Sequence, residues 1–232
     1  MDNNFVIESK KLVKSFPSGS GVLVVLKGLD FSVKRGEYVA VTGRSGSGKS
    51  TLLYLLGLLD EPTDGEILIE NISTKNLTNE ERTKMRLNAL GYIFQDYALV
   101  PELTSVENVV APLLMQGLDK NTAIEKAKKS LDKMGLSGRH DNLPSQLSGG
   151  EQQRVAIARA IAHEPKILFA DEPTANLDLE TSNIVLGIFD TLHKEGQTII
   201  MVTHEPEFAE RTERIVLLSD GVIKSDDKIK RE

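Results

Sequence analysis

Apolar residues in this chain follow two rhythms, and each predicts a different kind of strand. FVIES, VLVVL, LDFSV, EILIE, RIVLL and GVIK are short and alternate or end at turn residues. Segments of that kind fit half-buried antiparallel strands. YVAVT (38–42), KILFA (166–170) and TIIMVT (198–203) are continuous apolar runs, as expected of strands covered on both faces in a parallel sheet. Each run leads into a glycine- or acid-bearing loop and then a helical pattern. The predicted fold is α/β, with a mainly parallel core sheet, a separate antiparallel β part, and ligand groups at the carboxyl ends of the parallel strands.

Residues 97–162 read mostly as helix. Thr104-x-x-Glu107 and Thr122-x-x-Glu125 have the spacing of capping boxes. Behind the second, Ile124, Ala127, Leu131 and Met134 form one apolar stripe. Lysines 126, 128, 129 and 133 fall off that stripe and predict a solvated face. The charged stretch SDDKIKRE is expected to fray. No internal repeat is visible. The longest apolar stretch, 52–59, contains Gly57 and falls well short of the ~20 residues a bilayer span needs. MDNNFVIESKK lacks the basic-then-apolar order of a secretory signal.

Composition narrows the chemistry. The length of 232 residues fits one domain, 1–232, with the helical part as a lobe within it. There is no cysteine, which removes disulfides, thiolate metal sites and a Cys nucleophile. The net charge of −6 argues against duplex nucleic acid as a partner.

GRSGSGKST (43–51) lies between the YVAVT strand and the helical pattern LLYLLGLL, and it fits G-x-x-x-x-G-K-[ST]. Glycines let the backbone of Gly43, Arg44, Ser45, Gly46, Ser47 and Gly48 curl so that N–H groups face phosphate oxygens. The following helix N-terminus adds its positive dipole end. Lys49 is placed to span the β- and γ-phosphates and Ser50 to bind Mg²⁺, and Thr51 is counted with the ATP-binding residues of the loop. ILFADE (167–172) ends a strand in two carboxylates. Asp171 at the tip suits Mg²⁺ through water, and Glu172, pointing differently, suits polarisation of an attacking water. His204, after the third buried run, exits the same sheet edge and is read as a γ-phosphate contact. The other histidines, 140, 163 and 193, have no such placement.

LSGGEQQRVAIARA (147–160) contains a second helix start, Ser148-Gly149-Gly150-Glu151. One reading is an ordinary capping box. The other is a second anion-binding helix tip, cleared of side chains by its two glycines.

With these motifs in order, the chain resembles the ATPase subunits of ABC transporters over nearly its whole length. The Walker A motif is 43–51, the glutamine loop GYIFQD carries Gln95, the signature is LSGGE, the Walker B motif is ILFADE, the D-loop ANLD carries Asp178, and the switch histidine is His204. The resemblance implies the ABC ATPase fold, ATP and Mg²⁺ as ligands, and two copies closing head to tail around two ATP. It implies that Gln95 contacts Mg²⁺ and the attacking water. Ser148, Gly149, Gly150 and Glu151 would act on the ATP of the opposite protomer, and Asp178 would lie at the interface. Phe16 takes the place of the family's adenine-stacking aromatic, whereas Tyr38 belongs to packing.

GLLDEPTDGEI (57–67), FQDYALVPELTSVENV and DEPTANLD are most similar to the branch of lipoprotein-releasing and macrolide-exporting ATPases. That branch serves FtsX-like integral-membrane permeases from the cytoplasmic face of the cell membrane. The alternatives are the ATPase of a compact solute importer and a soluble non-transport ABC ATPase. The second is disfavoured by the single cassette and the acidic charge.

Overall fold

The computed structural model describes residues 4–19 and 21–229. Two sheets and a group of helices make up the structure. The first sheet holds β1 (Phe5–Ser18), β2 (Gly21–Lys34), β4 (Asp64–Ile69) and β5 (Ile72–Ser73), in the order β2-β1-β4-β5. All its pairings are antiparallel, as the alternating segments predict. VLVVL and LDFSV prove to be one strand, β2, joined through Gly28 at φ 82°.

The second sheet contains β3 (Tyr38–Thr42), β6 (Leu90–Ile93), β7 (Ile167–Asp171), β8 (Thr198–Val202), β9 (Arg214–Ser219) and β10 (Val222–Lys228), in the order β10-β9-β3-β8-β7-β6. Its centre is parallel. The continuous apolar runs feed two cores, one on each face. Val39, Val41, Ile167, Phe169, Ile200 and Val202 pack with the first sheet and α1 (Lys49–Leu56). Their neighbours Tyr38, Leu168, Ala170, Ile199 and Met201 pack into the core on the helical side. Tyr38 is fully buried, as expected of a packing residue.

Three expectations need correction. RIVLL pairs in parallel with β3 and is antiparallel only to β10. Its alternation, with Val216 and Leu218 buried and Leu217 exposed, reports one covered face and carries no information on direction. The helix α4 (Lys120–Lys133) begins at Asp119, which caps the N–H groups of Asn121 and Thr122, so Thr122 lies inside the helix. Residues 225–228 of the charged tail are not frayed. They continue β10, and Arg214 pairs with Asp226 across the strands.

The helical lobe consists of α3 (Ser105–Met115), α4 and α5 (Gly149–Ile161). Thr104 caps α3 in the predicted box with Glu107. Ala127, Leu131 and Met134 are buried and the four lysines exposed, as the stripe predicts; Ile124 is only partly buried. The remaining helices are α2 (Asn79–Ala89), α6 (Leu179–Lys194) and the short α7 (Pro206–Ala209).

Candidate functional site

β3 ends at Thr42, and the loop from Gly43 to Gly48 curls over its end before α1 starts at Lys49. Two of its glycines are needed for both conformation and space. Gly43 has φ 146°, and a Cβ there would lie 2.1 Å from the Leu218 carbonyl oxygen. Gly48 has φ 102°, and a Cβ would lie 2.8 Å from Cδ2 of Leu26. Side chains strongly disfavour such backbone angles. Lys49 is buried, and its Nζ donates to the carbonyls of Gly43 at 3.0 Å and Arg44 at 3.2 Å. The ammonium is thus held across the mouth of the loop.

The loop borders a cavity of about 1100 Å³ whose lining also includes Ser50, Thr51, Gln95, Glu172 and His204. Residues predicted from four separate motifs, the phosphate loop, the glutamine loop, the Walker B strand end and the switch histidine, therefore share one wall. Arg44, Ser45 and Gly46 line it too. Ser47 differs: its side chain turns inward and is buried, and its Oγ has no partner among the described residues. Phe16 is partly exposed and does not line the cavity. It pairs across the β1–β2 ladder with Leu23, which does. Lys14 Nζ sits 4.9 Å from the Phe16 ring centre.

Asp171, at the tip of β7, is buried behind Ser50 and off the cavity wall. Ser50 Oγ donates to its Oδ1 at 3.0 Å. Burial pushes the Asp171 carboxyl above the usual range and Glu172 adds to this, while Ser50, Tyr54 and Lys49 oppose it. The next residue turns the other way. Glu172 has φ 45°, a left-handed angle that is costly for a side chain and concentrates at functional positions. Its N–H donates to the Val202 carbonyl at 3.0 Å, which ties the strained residue to β8. The turn sends its carboxylate to the cavity, where Oε2 lies 3.2 Å from Nδ1 of His204.

Gln95 follows β6, and its carbonyl accepts from Asn176 Nδ2 at 3.0 Å. Just beyond it, Tyr97 and Ala98 have φ of 63° and 48°. Arg159 of α5 holds both: its guanidinium donates to the Tyr97 carbonyl at 2.9 Å and the Ala98 carbonyl at 2.6 Å. Sequence reasoning missed Arg159, which lies among the arginine and alanine positions of an amphipathic helix.

The signature tip is a capping box, as the first reading held. Ser148 Oγ accepts from the Glu151 N–H at 3.2 Å, the Ser148 N–H donates to Glu151 Oε2 at 2.9 Å, and Arg139 braces Glu151 at 2.8 Å. The glycines have reasons of their own. A Cβ on Gly150 would lie 2.2 Å from Cγ2 of Thr181 in α6, and one on Gly149 would lie 2.9 Å from the Tyr97 hydroxyl. Asp178 caps α6, accepting from the Thr181 N–H at 2.9 Å and its Oγ1 at 2.8 Å. Those bonds, the backbone one first, hold the Asp178 carboxyl below its usual range. Among the described residues, 148–151 do not line the cavity that the 43–51 loop borders.

A glycine-rich phosphate loop after one parallel strand, a buried aspartate on a second and a carboxylate–imidazole pair spanning two strand ends define a P-loop nucleoside triphosphatase. The chain belongs to the ABC transporter family, whose sequence profile matches residues 26–175. It is an ATP-binding, ATP-hydrolysing cassette of that family.

Among its relatives is the lipoprotein-releasing system ATP-binding protein LolD of Aquifex aeolicus (strain VF5). That protein is 49% identical over 199 residues, covering 86% of this chain and 89% of its own. The macrolide export ATP-binding/permease protein MacB of Bartonella henselae is 45% identical over 221 residues, which are 95% of this chain and 34% of that longer one. The dimeric post-hydrolysis structure of the ATP-binding cassette MJ0796, bound to ADP and Pi, superimposes with a TM-score of 0.90. Its identity is 38%, and the match covers 97% of this chain and 100% of that one. The branch resemblance drawn from the motifs is borne out.

Proposed function

We propose that two copies of this chain close head to tail around two ATP and so drive an FtsX-like integral-membrane permease of the lipoprotein-release, export or mechanotransmission type. The observation that carries the reading is the separation of the two phosphate-directed segments. The 43–51 loop borders the cavity and the 148–151 tip does not line it, which fits a site completed by a second copy. A relative captured as a dimer with ADP and Pi supports the same arrangement.

In this reading residues 1–232 work as one ABC ATPase unit, with the helical lobe at 97–162 inserted in it. The loop N–H groups and Lys49 grip the phosphates, and Phe16 beside Leu23 offers its ring to the adenine. Mg²⁺ fits the donor set. Ser50 Oγ and Asp171 Oδ1 are hard oxygens 3.0 Å apart beside the phosphate loop. The ion favours oxygen ligands, few of them protein carboxylates, with water and substrate phosphates completing its shell. Ser50, Gln95 and Asp171 would hold it, and when bound it supplies positive charge to the phosphate oxygens. Glu172 orients the attacking water and accepts its proton. His204 holds Glu172 in place and faces the γ-phosphate. Ser148, Gly149, Gly150 and Glu151 of the partner copy close the site from the other side and exclude bulk water, with Asp178 at the seam. Loss of the γ-phosphate removes the bridge, and the halves separate.

None of the helices among the described residues is long and apolar enough to cross a membrane. The relatives include a system's ATP-binding protein and a fused ATP-binding/permease protein. Those names support a peripheral subunit docked on its permease at the cytoplasmic face of the cell membrane.

Glu172→Gln tests the proposal. The variant is expected to bind ATP, to lose turnover, and to elute at twice the monomer mass by light scattering when ATP is present. An ATP-saturated variant that stays monomeric at high protein concentration would overturn the sandwich.

A further inference from the structure

Gly149, the first glycine of the signature tip, is flanked by residues from two other motifs of the same copy. A Cβ on it would lie 2.9 Å from the Tyr97 hydroxyl and 3.6 Å from Cδ2 of Leu177. Tyr97 comes two residues after Gln95, and Leu177 directly precedes Asp178. The two flanking segments are themselves joined, because Asn176 Nδ2 donates to the Gln95 carbonyl at 3.0 Å. Glutamine loop, D-loop and signature tip therefore meet at Gly149.

Tyr97 reaches that meeting point by a strained path. Tyr97 and Ala98 are consecutive left-handed residues, at φ 63° and 48°, and such angles persist in residues with side chains only where the surroundings hold them. The Ala98 N–H closes the turn on the Asp96 carbonyl at 2.7 Å. Arg159 holds it from α5, with Nη2 donating to the Tyr97 carbonyl and Nη1 to the Ala98 carbonyl. A planar guanidinium fixes two acceptors at once, which a lysine ammonium does not reproduce. Tyr97 does not line the nucleotide cavity of its own copy.

We propose that Tyr97 is a positioning residue for the reaction: with Arg159 holding its backbone, its ring seats Gly149 and sets where the signature tip stands for the ATP of the opposite copy. This rests on the head-to-tail reading given above.

Kinetics and binding test it together. Tyr97→Ala and Arg159→Lys are each expected to lower kcat about tenfold or more, the scale of misplacing a catalytic group. ATP affinity of the monomer, by titration calorimetry, should stay as in wild type. Tyr97→Phe keeps the ring and should lose much less than Tyr97→Ala. Parallel loss of ATP affinity and kcat, or wild-type kcat in Tyr97→Ala or Arg159→Lys, would overturn the proposal.

A second pair of variants probes the contact itself. Gly149→Ala drives a methyl against the phenol hydroxyl and should lower turnover. Adding Tyr97→Phe should recover most of it, because the ring Cζ would stand 3.8 Å from that methyl, an ordinary contact. Full turnover in Gly149→Ala, or no recovery in the double variant, would refute the seat.

Light scattering with ATP separates this proposal from the reading beneath it. Tyr97→Ala should weaken dimerisation of the Glu172→Gln variant. If Glu172→Gln dimerises and the double variant dimerises equally well, the Tyr97 proposal falls alone. If Glu172→Gln itself stays monomeric, the head-to-tail reading falls, and the Tyr97 proposal with it.

Discussion

Nδ1 of His204 lies 3.2 Å from Oε2 of Glu172, although the two residues leave different strands of the sheet. They meet because Glu172 adopts φ 45° at the end of β7 while His204 follows the end of β8. The left-handed backbone costs on the order of 1–2 kcal/mol for a residue with a side chain. What it achieves is divergence of two adjacent acids: Asp171 stays buried behind Ser50 and Glu172 reaches the cavity. Nε2 of His204 faces Glu205 Oε1 at 3.2 Å.

Lys49→Ala tests the phosphate grip. The ammonium is held by the carbonyls of Gly43 and Arg44, both within its own loop, so the fold should tolerate its loss. Truncating one partner of a buried, hydrogen-bonded charge pair costs about 2–5 kcal/mol or more. ATP affinity by titration calorimetry should therefore fall at least about thirtyfold. Near-normal affinity would contradict the phosphate-loop reading.

Gly150→Ala tests the seat of the signature tip. The added methyl would stand 2.2 Å from Thr181 Cγ2, so the tip of α5 and the start of α6 must part. Turnover is expected to drop by about tenfold or more, on the scale of misplacing a catalytic group, while ATP binding to the monomer is retained. Thr181→Ser removes the obstructing methyl and keeps the hydroxyl that bonds Asp178. The double variant should recover most of the activity. Full turnover in the single variant would show that the close approach is not needed.

Acid sensitivity should be traceable to the same tip. The Ser148 N–H, and after it Arg139, hold the Glu151 carboxyl below its usual range. The folded group therefore binds its proton less readily than the unfolded one. Its stabilising contribution is complete above the unfolded carboxyl's range and is lost as pH falls through the lowered folded value. Glutamine can fill the same capping position without titrating. The Tm advantage of wild type over Glu151→Gln should shrink as pH is lowered from 7 towards about 3, within the carboxyl range. An advantage that stays constant across that range would show that the ionised form is not what the cap uses.

Much of the site is legible in the sequence because its chemistry sits at strand ends, and strands covered on both faces announce themselves. YVAVT, KILFA and TIIMVT supply β3, β7 and β8, and the residues at and after their ends supply Lys49, Asp171, Glu172 and His204. β6 has only four residues, too few for a period to show, so GYIFQD is readable as a motif and not as a strand. The start of α4 falls three residues before the box at Thr122 because Asp119 and Thr122 are both good caps, and only the backbone path decides between them. Gly150 reads as clearance for an anion, but its contact is Thr181, 31 positions away in sequence, which local patterning cannot reveal. Arg159 is silent for a related reason: it acts on partners that only the tertiary fold brings near.

The thirteen residues of α5 form a rod about 20 Å long. One end is the Ser148 cap; near the other, Arg159 clasps the two carbonyls that follow Gln95. Tyr97 touches both stations of that rod, its carbonyl held by Arg159 and its hydroxyl lying against Gly149 at the tip, so the segment after Gln95 is tied to the signature end by the shaft and by the ring alike.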